Sequence, residues 1–214
     1  MNSRRNIVVV AAALCAAMMI GSAQAAPKIY GAADTGWYAD TAFRQGVADK
    51  LRQFIGATQY PLPLVGYSDD PAKINSVADQ FLSEFMGKPG EIEALPDGRW
   101  LFSGTAPHQV AYIAFVVMSP DQSNIEAAMM SYQLCPKGGV PYRDPEGSQH
   151  LAPCEEDPRW AIFLPRHGAP DYFLIHTLSQ VALRNRLHDQ RSLIEQNIRS
   201  QDSIHVKTEV IMVP

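Results

Sequence analysis

The amino-acid sequence predicts an α+β domain in which helices pack on one face of a mostly antiparallel sheet. Three observations lead to this prediction. Two segments in the first half carry apolar residues at helical spacing, short apolar runs between turn signals fill the middle, and a long helical segment precedes a final alternating strand. No internal repeat is visible in the sequence, so we expect a single domain over residues 26–214, after an N-terminal signal.

Two helices are predicted near the start of this domain. Apolar residues recur at helical spacing over residues 41–55, and Gly56 follows as a stop signal. Asp70-Pro71 then combines a capping carboxylate with a proline at the first helical position. This pair predicts the start of a second amphipathic helix, which Gly87 closes.

The middle of the chain predicts strands. Pro96-Asp97-Gly98 separates two short apolar runs, which indicates a β-hairpin over residues 91–103. Residues 109–118 are nearly all apolar and rich in β-branched and aromatic side chains, as expected of a central strand buried on both faces. Residues 125–134 fit either a helix or a strand, and a strand is favoured. Trp160–Leu164 predicts another short strand.

The C-terminal part predicts a long helix followed by a strand. Residues 171–200 carry an apolar stripe on one face and Arg184, Arg186 and Arg191 on the other. For this basic face, a solvated surface with ion pairs four residues apart is favoured over a site for an acidic partner. Residues 204–212 alternate between apolar and polar side chains, which predicts a strand with one face in solvent.

The N-terminus has the three parts of a secretion signal. Arg4-Arg5 precedes an apolar run over Ile7–Ile20, and a small-residue A-x-A site predicts cleavage after Ala25. The run is shorter than the roughly 20 residues that cross a bilayer, and no later stretch approaches that length. We therefore expect a soluble mature chain in the periplasm or outside the cell. An ordinary signal is favoured over a twin-arginine signal, and Cys15 is removed with it.

Charge and composition narrow the class of partner. The sequence has 18 Lys and Arg residues and 22 Asp and Glu residues, and the predicted signal contains two arginines and no acid. The mature chain would therefore have 16 basic and 22 acidic residues, which gives a net charge of −6. A mildly acidic chain without a basic stripe argues against nucleic acid and anionic membranes as ligands. The apolar fraction is ordinary for a globular domain.

Cys135 and Cys154 are the only cysteines after the signal, and they stand 19 positions apart. In an oxidising compartment such a pair predicts a disulfide bond, which is favoured over free thiols or a metal site with His150. The segment between them is rich in glycine and proline and predicts a surface loop. Closing such a loop stabilises a fold by about 3 kcal/mol in the chain-entropy model.

Few residues suggest chemistry, and no catalytic, metal or cofactor motif is predicted. The sequence has no G-x-S-x-G, H-E-x-x-H or phosphate-loop pattern. His150 with Glu155 and Glu156 would suit a divalent cation, although a solvated acidic loop is favoured. His167 lies in a turn after a predicted strand, a position that hosts catalytic residues in some folds, yet an ordinary turn histidine is favoured.

Three aromatic residues near the start of the domain admit two interpretations. Tyr30, Trp37 and Tyr38 are interspersed with small residues. Tyrosine and tryptophan are enriched at binding hot spots, but large aromatic side chains also dominate protein cores. Packing on the core is favoured over a binding patch.

Three functions of different classes follow. The leading hypothesis is a non-enzymatic binding protein of the periplasm, such as an inhibitor, an immunity-type protein or an accessory factor of an envelope complex, whose partner is another periplasmic or envelope protein. The second is a small secreted hydrolase or metal-dependent enzyme that uses His150, Glu155, Glu156 and His167. The third is a carrier with a small-molecule pocket between sheet and helices.

Overall fold

A six-stranded sheet forms the centre of the structure. The computed structural model describes residues 28–32, 34–56, 58, 76–106, 109–132, 140–143, 149–152, 159–196, 200–201 and 204–214. The strands are β1 Lys88–Ala94, β2 Trp100–Ala106, β3 Gln109–Met118, β4 Ile125–Tyr132, β5 Val140–Arg143, β6 Gln149–Ala152, β7 Arg159–Pro165 and β8 Lys207–Val213. The helices are the 3₁₀ turn Gly36–Tyr38, α1 Thr41–Ile55, α2 Val77–Phe85, α3 Tyr172–Asp189 and α4 Arg191–Glu195.

The sheet is mostly antiparallel, as the sequence predicts. Its strand order is β1-β2-β3-β4-β7-β8, and β5 and β6 form a separate two-stranded sheet. Every pairing in the large sheet is antiparallel except β7 with β8. Parallel neighbours need a long crossover connection, which α3 and α4 supply. The fold is therefore of the α+β type with one parallel edge.

Helices cover both faces of the sheet, so the prediction of helices on one face is wrong. Helices α1 and α2 share a buried cluster with alternate sheet residues such as Val116 and Phe163. Helix α3 shares a second cluster with the intervening residues, among them Phe115 and Ile162. The central strands are apolar on both sides, and each face therefore needs its own cover to exclude water.

The first helix matches its prediction. Asp40 caps α1, because its Oδ1 accepts a hydrogen bond of 2.9 Å from the backbone N–H of Phe43. Gly56 ends the helix with a φ of 58°, in the left-handed region where a glycine has no steric penalty.

The second helix starts later than predicted. Ser76 has an extended ψ of 159° and its hydroxyl accepts from the backbone N–H of Asp79, so α2 begins at Val77 rather than after Asp70-Pro71. A serine that caps a helix terminates any helix arriving from before it. Residues 59–75 lie outside the part of the chain that the structure describes.

Helix α2 approaches the sheet unusually closely. A Cβ atom built on Gly104 of β2 would lie 1.9 Å from the backbone oxygen of Phe85. Only glycine permits this approach, and it brings the end of α2 against the middle of the sheet.

The predicted long C-terminal helix is interrupted. Helix α3 ends at Asp189, and Gln190 leaves helical geometry with a φ of −92° and a ψ of 3° before the short α4. The predicted extension to residue 200 is therefore wrong, since one continuous helix does not form. Among the described residues, no helix combines the length and the apolar character needed to cross a membrane.

The segment before α1 is part of the core. Trp37 and Tyr30 are fully buried, and Trp37 stacks on Phe85 with 5.6 Å between ring centroids. The side chain of Gln122, in the β3–β4 turn, pairs with the Tyr30 backbone: it accepts from the N–H at 3.0 Å and donates to the carbonyl at 2.5 Å. The favoured interpretation of these aromatics as core residues is confirmed, with Tyr38 half-buried.

Part of the glycine- and proline-rich segment forms a hairpin rather than a loop. Strands β5 and β6 pair antiparallel, with Val140 opposite Ala152 and Arg143 opposite Gln149. The prediction of a surface loop is wrong for these eight residues, which form two strands. Cys135 and Cys154 lie outside the described residues, and their predicted disulfide bond stays a prediction.

Candidate functional site

A cleft opens at the end of the sheet where the β1–β2 turn, the start of β4 and the end of β7 meet. Its volume is about 260 Å³, and α3 begins at its rim. The cleft is lined by Arg99, Ile125, Glu126, Leu164, Pro165, His167, Ala169, Asp171 and Leu174. Sites for drug-sized molecules typically measure about 300–1,000 Å³, so this cleft matches a single side chain or a small polar group better.

Arg99 connects three elements of the cleft. Its Nε donates to Asp97 Oδ2 at 2.7 Å, and its Nη1 donates to Glu126 Oε2 at 3.1 Å and to Asp171 Oδ2 at 2.9 Å. The planar guanidinium reaches all three carboxylates because its donors form a rigid fork. The arrangement ties the β1–β2 turn to β4 and to the first residue before α3.

Asp171 has a second role as the N-cap of α3. Its Oδ1 accepts from the backbone N–H of Leu174 at 2.9 Å, while its Oδ2 faces Arg99. A carboxylate at a helix N-terminus is stabilised by the unpaired N–H groups there. The position of α3 at the cleft is thus fixed by one side chain that binds both the helix and the arginine.

These contacts determine the direction in which the pKa values of Arg99, Asp97 and Asp171 shift. Burial disfavours the charge of Arg99, but the hydrogen bonds and the attraction from Asp97 and Asp171 outweigh burial and raise the pKa of the guanidinium. Burial likewise opposes the carboxylate charges, yet the hydrogen bonds from Arg99 to Asp97, and from Leu174 N–H and Arg99 to Asp171, lower both carboxyl pKa values. The lining of the cleft thus contains one positive residue, Arg99, and two negative ones, Glu126 and Asp171, while Asp97 is bonded to Arg99 outside the lining and adds a third carboxylate nearby.

Two exposed aromatic residues directly follow Asp171, the cleft residue that caps α3. Tyr172 and Phe173, the first residues of α3, are 73% and 45% exposed. The Phe173 ring centroid lies 5.8 Å from Arg99 Cζ, a cation–π distance. Adjacent exposed aromatics beside a charged cleft are typical of interaction surfaces, because such rings supply large contact area at low entropic cost.

One of the functional candidates predicted from the sequence, His167, lies at this cleft. His167 lines the cleft, in the exposed turn between β7 and α3. His150 belongs to β6, where its Cα pairs with that of Tyr142. Glu155 and Glu156 lie outside the described residues, so their proximity to either histidine stays a prediction. Within the described part of the chain, no three His, Cys, Asp or Glu side chains are grouped to hold a metal ion.

The basic face of the C-terminal helices is mostly engaged in ion pairs. Arg184 Nη2 lies 2.7 Å from Glu93 Oε2 across to β1, and Arg191 Nε lies 2.7 Å from Glu195 Oε1 four residues on. The predicted ion pair four residues apart is confirmed for Arg191, whereas Arg184 is exposed but pairs with a distant strand instead. Arg186 is buried, so its assignment to the exposed face is wrong.

Sequence reasoning missed the main members of the site. Asp97 was interpreted only as a turn residue, and Arg99 only as the start of a strand. Asp171 opened a predicted helix, a position that signals a cap but not a second bond to a distant arginine. The one feature of the sequence that could have indicated the site is the pair Tyr172-Phe173. These two aromatic residues directly follow the helix cap, so they lie in the first turn, where a helix is often exposed.

Comparisons with protein-family models, with curated proteins and with solved structures find no match to this chain.

Proposed function

We propose that this chain is an exported, non-enzymatic binding protein that recognises another protein of the cell envelope through the cleft and the aromatic pair Tyr172-Phe173. The observation that supports the proposal is the exposure of both rings beside a cleft with excess negative charge. Exposed aromatic residues are costly in solvent unless contact with a partner covers them.

The charge of the cleft indicates the kind of surface that fits it. Asp97, Glu126 and Asp171 outnumber Arg99, so the cleft attracts a cationic side chain of the partner. Its volume of about 260 Å³ suits one lysine or arginine side chain. The Phe173 ring, which already contacts Arg99, would pack on the aliphatic part of an incoming basic residue.

Export is part of the proposal. Cleavage after Ala25 would leave Tyr30 as the fifth residue of the mature chain. Tyr30 is held by Gln122 and by Asp40, whose Oδ2 accepts from the tyrosine hydroxyl at 2.6 Å. Because Tyr30 is fully buried in the core, cleavage at the predicted site would retain its contacts with Gln122 and Asp40.

The Cys135–Cys154 disulfide is a second part of the proposal. Tyr132 and Arg159 are Cα partners at one end of the insertion that holds β5 and β6, and Val140 and Ala152 are partners at the other. An extended chain covers at most about 3.6 Å per residue. Cys135 is then within roughly 11 Å of Tyr132 and Cys154 within roughly 18 Å of Arg159, so chain length allows the sulfurs to meet. Thiol counting on the denatured, unreduced mature protein should find none, and two thiols per chain would exclude the bond.

The binding proposal is tested by removing the aromatic pair. The double variant Tyr172→Ser/Phe173→Ser should lose at least about tenfold in partner capture from periplasmic extract, since hot-spot aromatics contribute about 2 kcal/mol or more. Ile29→Ser is the matched control, because Ile29 is also exposed but lies in the N-terminal segment. Capture should weaken in high salt, which screens the charges of the cleft. Equal recovery by wild type, the double variant and the control would reject the proposed site.

A further inference from the structure

The two carboxylates that line the cleft differ in how their oxygens are engaged. Asp171 uses both oxygens, since Oδ1 accepts from the Leu174 N–H and Oδ2 accepts from Arg99. Glu126 uses one, because its Oε2 accepts from Arg99 Nη1 at 3.1 Å and no donor in the described part of the chain reaches its Oε1. The Glu126 side chain is 36% exposed. Glu126 is therefore the cleft carboxylate with an oxygen left to accept from a ligand.

Most of the remaining cleft wall is apolar. It consists of Ile125, Leu164, Pro165, Ala169 and Leu174. Leu164 and Leu174 are buried parts of the second hydrophobic cluster, so this side of the cleft is anchored in the core. A long cationic side chain places its methylene stem along apolar surface and its charged end at a polar group. The cleft offers both kinds of surface within about 260 Å³.

We propose that the cleft binds a lysine side chain of the partner protein, with its ammonium group on Glu126 Oε1 and its methylene stem along the apolar wall. This inference rests on the proposed function and narrows the basic residue of the partner to one type. Charge complementarity supports a cation, because the lining contains two carboxylates and one guanidinium.

Arg99 is the reason that lysine is favoured over arginine. A guanidinium binds a carboxylate best through two parallel hydrogen bonds, one to each oxygen. Arg99 already donates to Oε2 of Glu126, so an incoming arginine would find only Oε1 without a donor and would bring a second planar cation beside the first. An ammonium group is a compact charge whose donors need no paired acceptor. A single free oxygen therefore selects lysine.

NMR titration of the isotope-labelled mature protein tests this assignment with three blocked amino acids. The probes are the Nα-acetyl methylamides of lysine, of arginine and of norleucine, the last of which keeps the lysine stem without its charge. The lysine probe should shift the amide signals of Ile125, Glu126 and Ala169 saturably, with a Kd on the order of 1–10 mM for one side chain. The other two probes should bind at least about threefold more weakly.

A substitution at Glu126 tests the acceptor itself. Glu126→Gln should weaken binding of the lysine probe at least about fivefold, because it removes the charge and keeps the size. Glu93→Gln is the matched control, since Glu93 also accepts from an arginine, with 2.7 Å between its Oε2 and Arg184 Nη2, but does not line the cleft. The control should bind the probe like wild type, and the amide spectrum of each variant shows whether it is folded.

Three results would overturn the lysine assignment. These are equal affinity for the arginine and lysine probes, unchanged affinity in Glu126→Gln, and no saturable shift with the lysine probe up to about 50 mM. The proposed binding surface is judged separately, by partner capture with Tyr172→Ser/Phe173→Ser. If that variant loses its partner while the lysine probe fails, the surface stands and the lysine assignment alone is refuted.

Discussion

The Gln122–Tyr30 contact should make an unusually large contribution to stability for one buried polar residue in a turn. Replacing Gln122 by Ala removes both hydrogen bonds to the Tyr30 backbone, and these groups are buried. A buried polar group left without a partner costs about 1–3 kcal/mol. Because the N-terminal segment can shift and admit water, we expect a loss of about 2–4 kcal/mol rather than the full sum, out of roughly 5–15 kcal/mol in total.

Gln122→Glu is the matched control for this prediction. A glutamate keeps the size and still accepts from the Tyr30 N–H, but its second oxygen has no donor for the Tyr30 carbonyl, and its charge would be buried there. Its loss at pH 7 should therefore be at least as large as that of the alanine variant. The contact of Lys50 with the Gln122 carbonyl, at 3.2 Å, is a backbone contact and survives both changes.

Urea denaturation of the mature protein measures the loss. The Ala variant should also melt about 8 °C lower, since 1 kcal/mol shifts Tm by about 2–4 °C for a domain of this size. Hydrogen exchange should accelerate at the Tyr30 amide more than at amides of β3. A free energy of unfolding within about 0.5 kcal/mol of wild type for Gln122→Ala would refute the reasoning.

Four further substitutions have opposite or pH-dependent effects. Burial raises the pKa of the Glu84 carboxyl well above its usual range, and among the described residues no group donates a hydrogen bond to its Oε2. The stabilising effect of the neutral carboxyl is therefore fully present below the unfolded-state pKa of about 4.5. This stability is lost as the pH rises through the higher folded-state pKa. Glu84→Gln should then gain stability relative to wild type from pH 4 to 8, and a pH-independent difference in urea unfolding would contradict this. Arg99→Met should lower the free energy of unfolding by about 1–3 kcal/mol at pH 7. This loss should fade below pH 4, as Asp97 and Asp171, whose pKa values are lowered, become protonated. A constant loss down to pH 2 would argue against ion pairing. Gly104→Ala should cost at least about 1–3 kcal/mol of stability, because the new methyl group would force α2 away from the sheet. Gly46→Ala, in open space within α1, should gain about 0.5–1 kcal/mol. Thermal melts that fail to separate the two alanine variants would contradict the close approach of α2 to β2.

The elements of the sheet were predictable because their signals are local. The all-apolar run of residues 109–118 and the run at Trp160 predict strands that the structure contains, and the Asp97-Gly98 turn predicts the hairpin of β1 and β2. Gly98 has a φ of 86°, the left-handed conformation for which a glycine in a turn is the expected residue. Turn chemistry and burial on both faces can be deduced without knowing the neighbours of a strand.

The assembly of the elements was not predictable in the same way. Periodicity shows which side of α3 is apolar, but not which face of the sheet it covers, and the parallel pairing of β8 determines that choice. The Arg99 network joins residues from three separate elements, and no sequence spacing links Asp97 with Asp171. The predicted start of α2 is too early because Asp70-Pro71 has the pattern of a helix start, whereas the structure caps α2 at Ser76.

Site-specific photo-cross-linking in living bacteria tests the binding surface most directly. A photoreactive phenylalanine analogue at Tyr172, which is 73% exposed, adds little perturbation to the fold, and the same group at Ile29 serves as the control position. The account predicts one dominant cross-linked envelope protein at position 172 that is absent at position 29 and is reduced by Asp171→Asn/Glu126→Gln, which removes negative charge from the cleft. Absence of any specific adduct at position 172, or the same adducts at both positions, would contradict a binding site at this cleft.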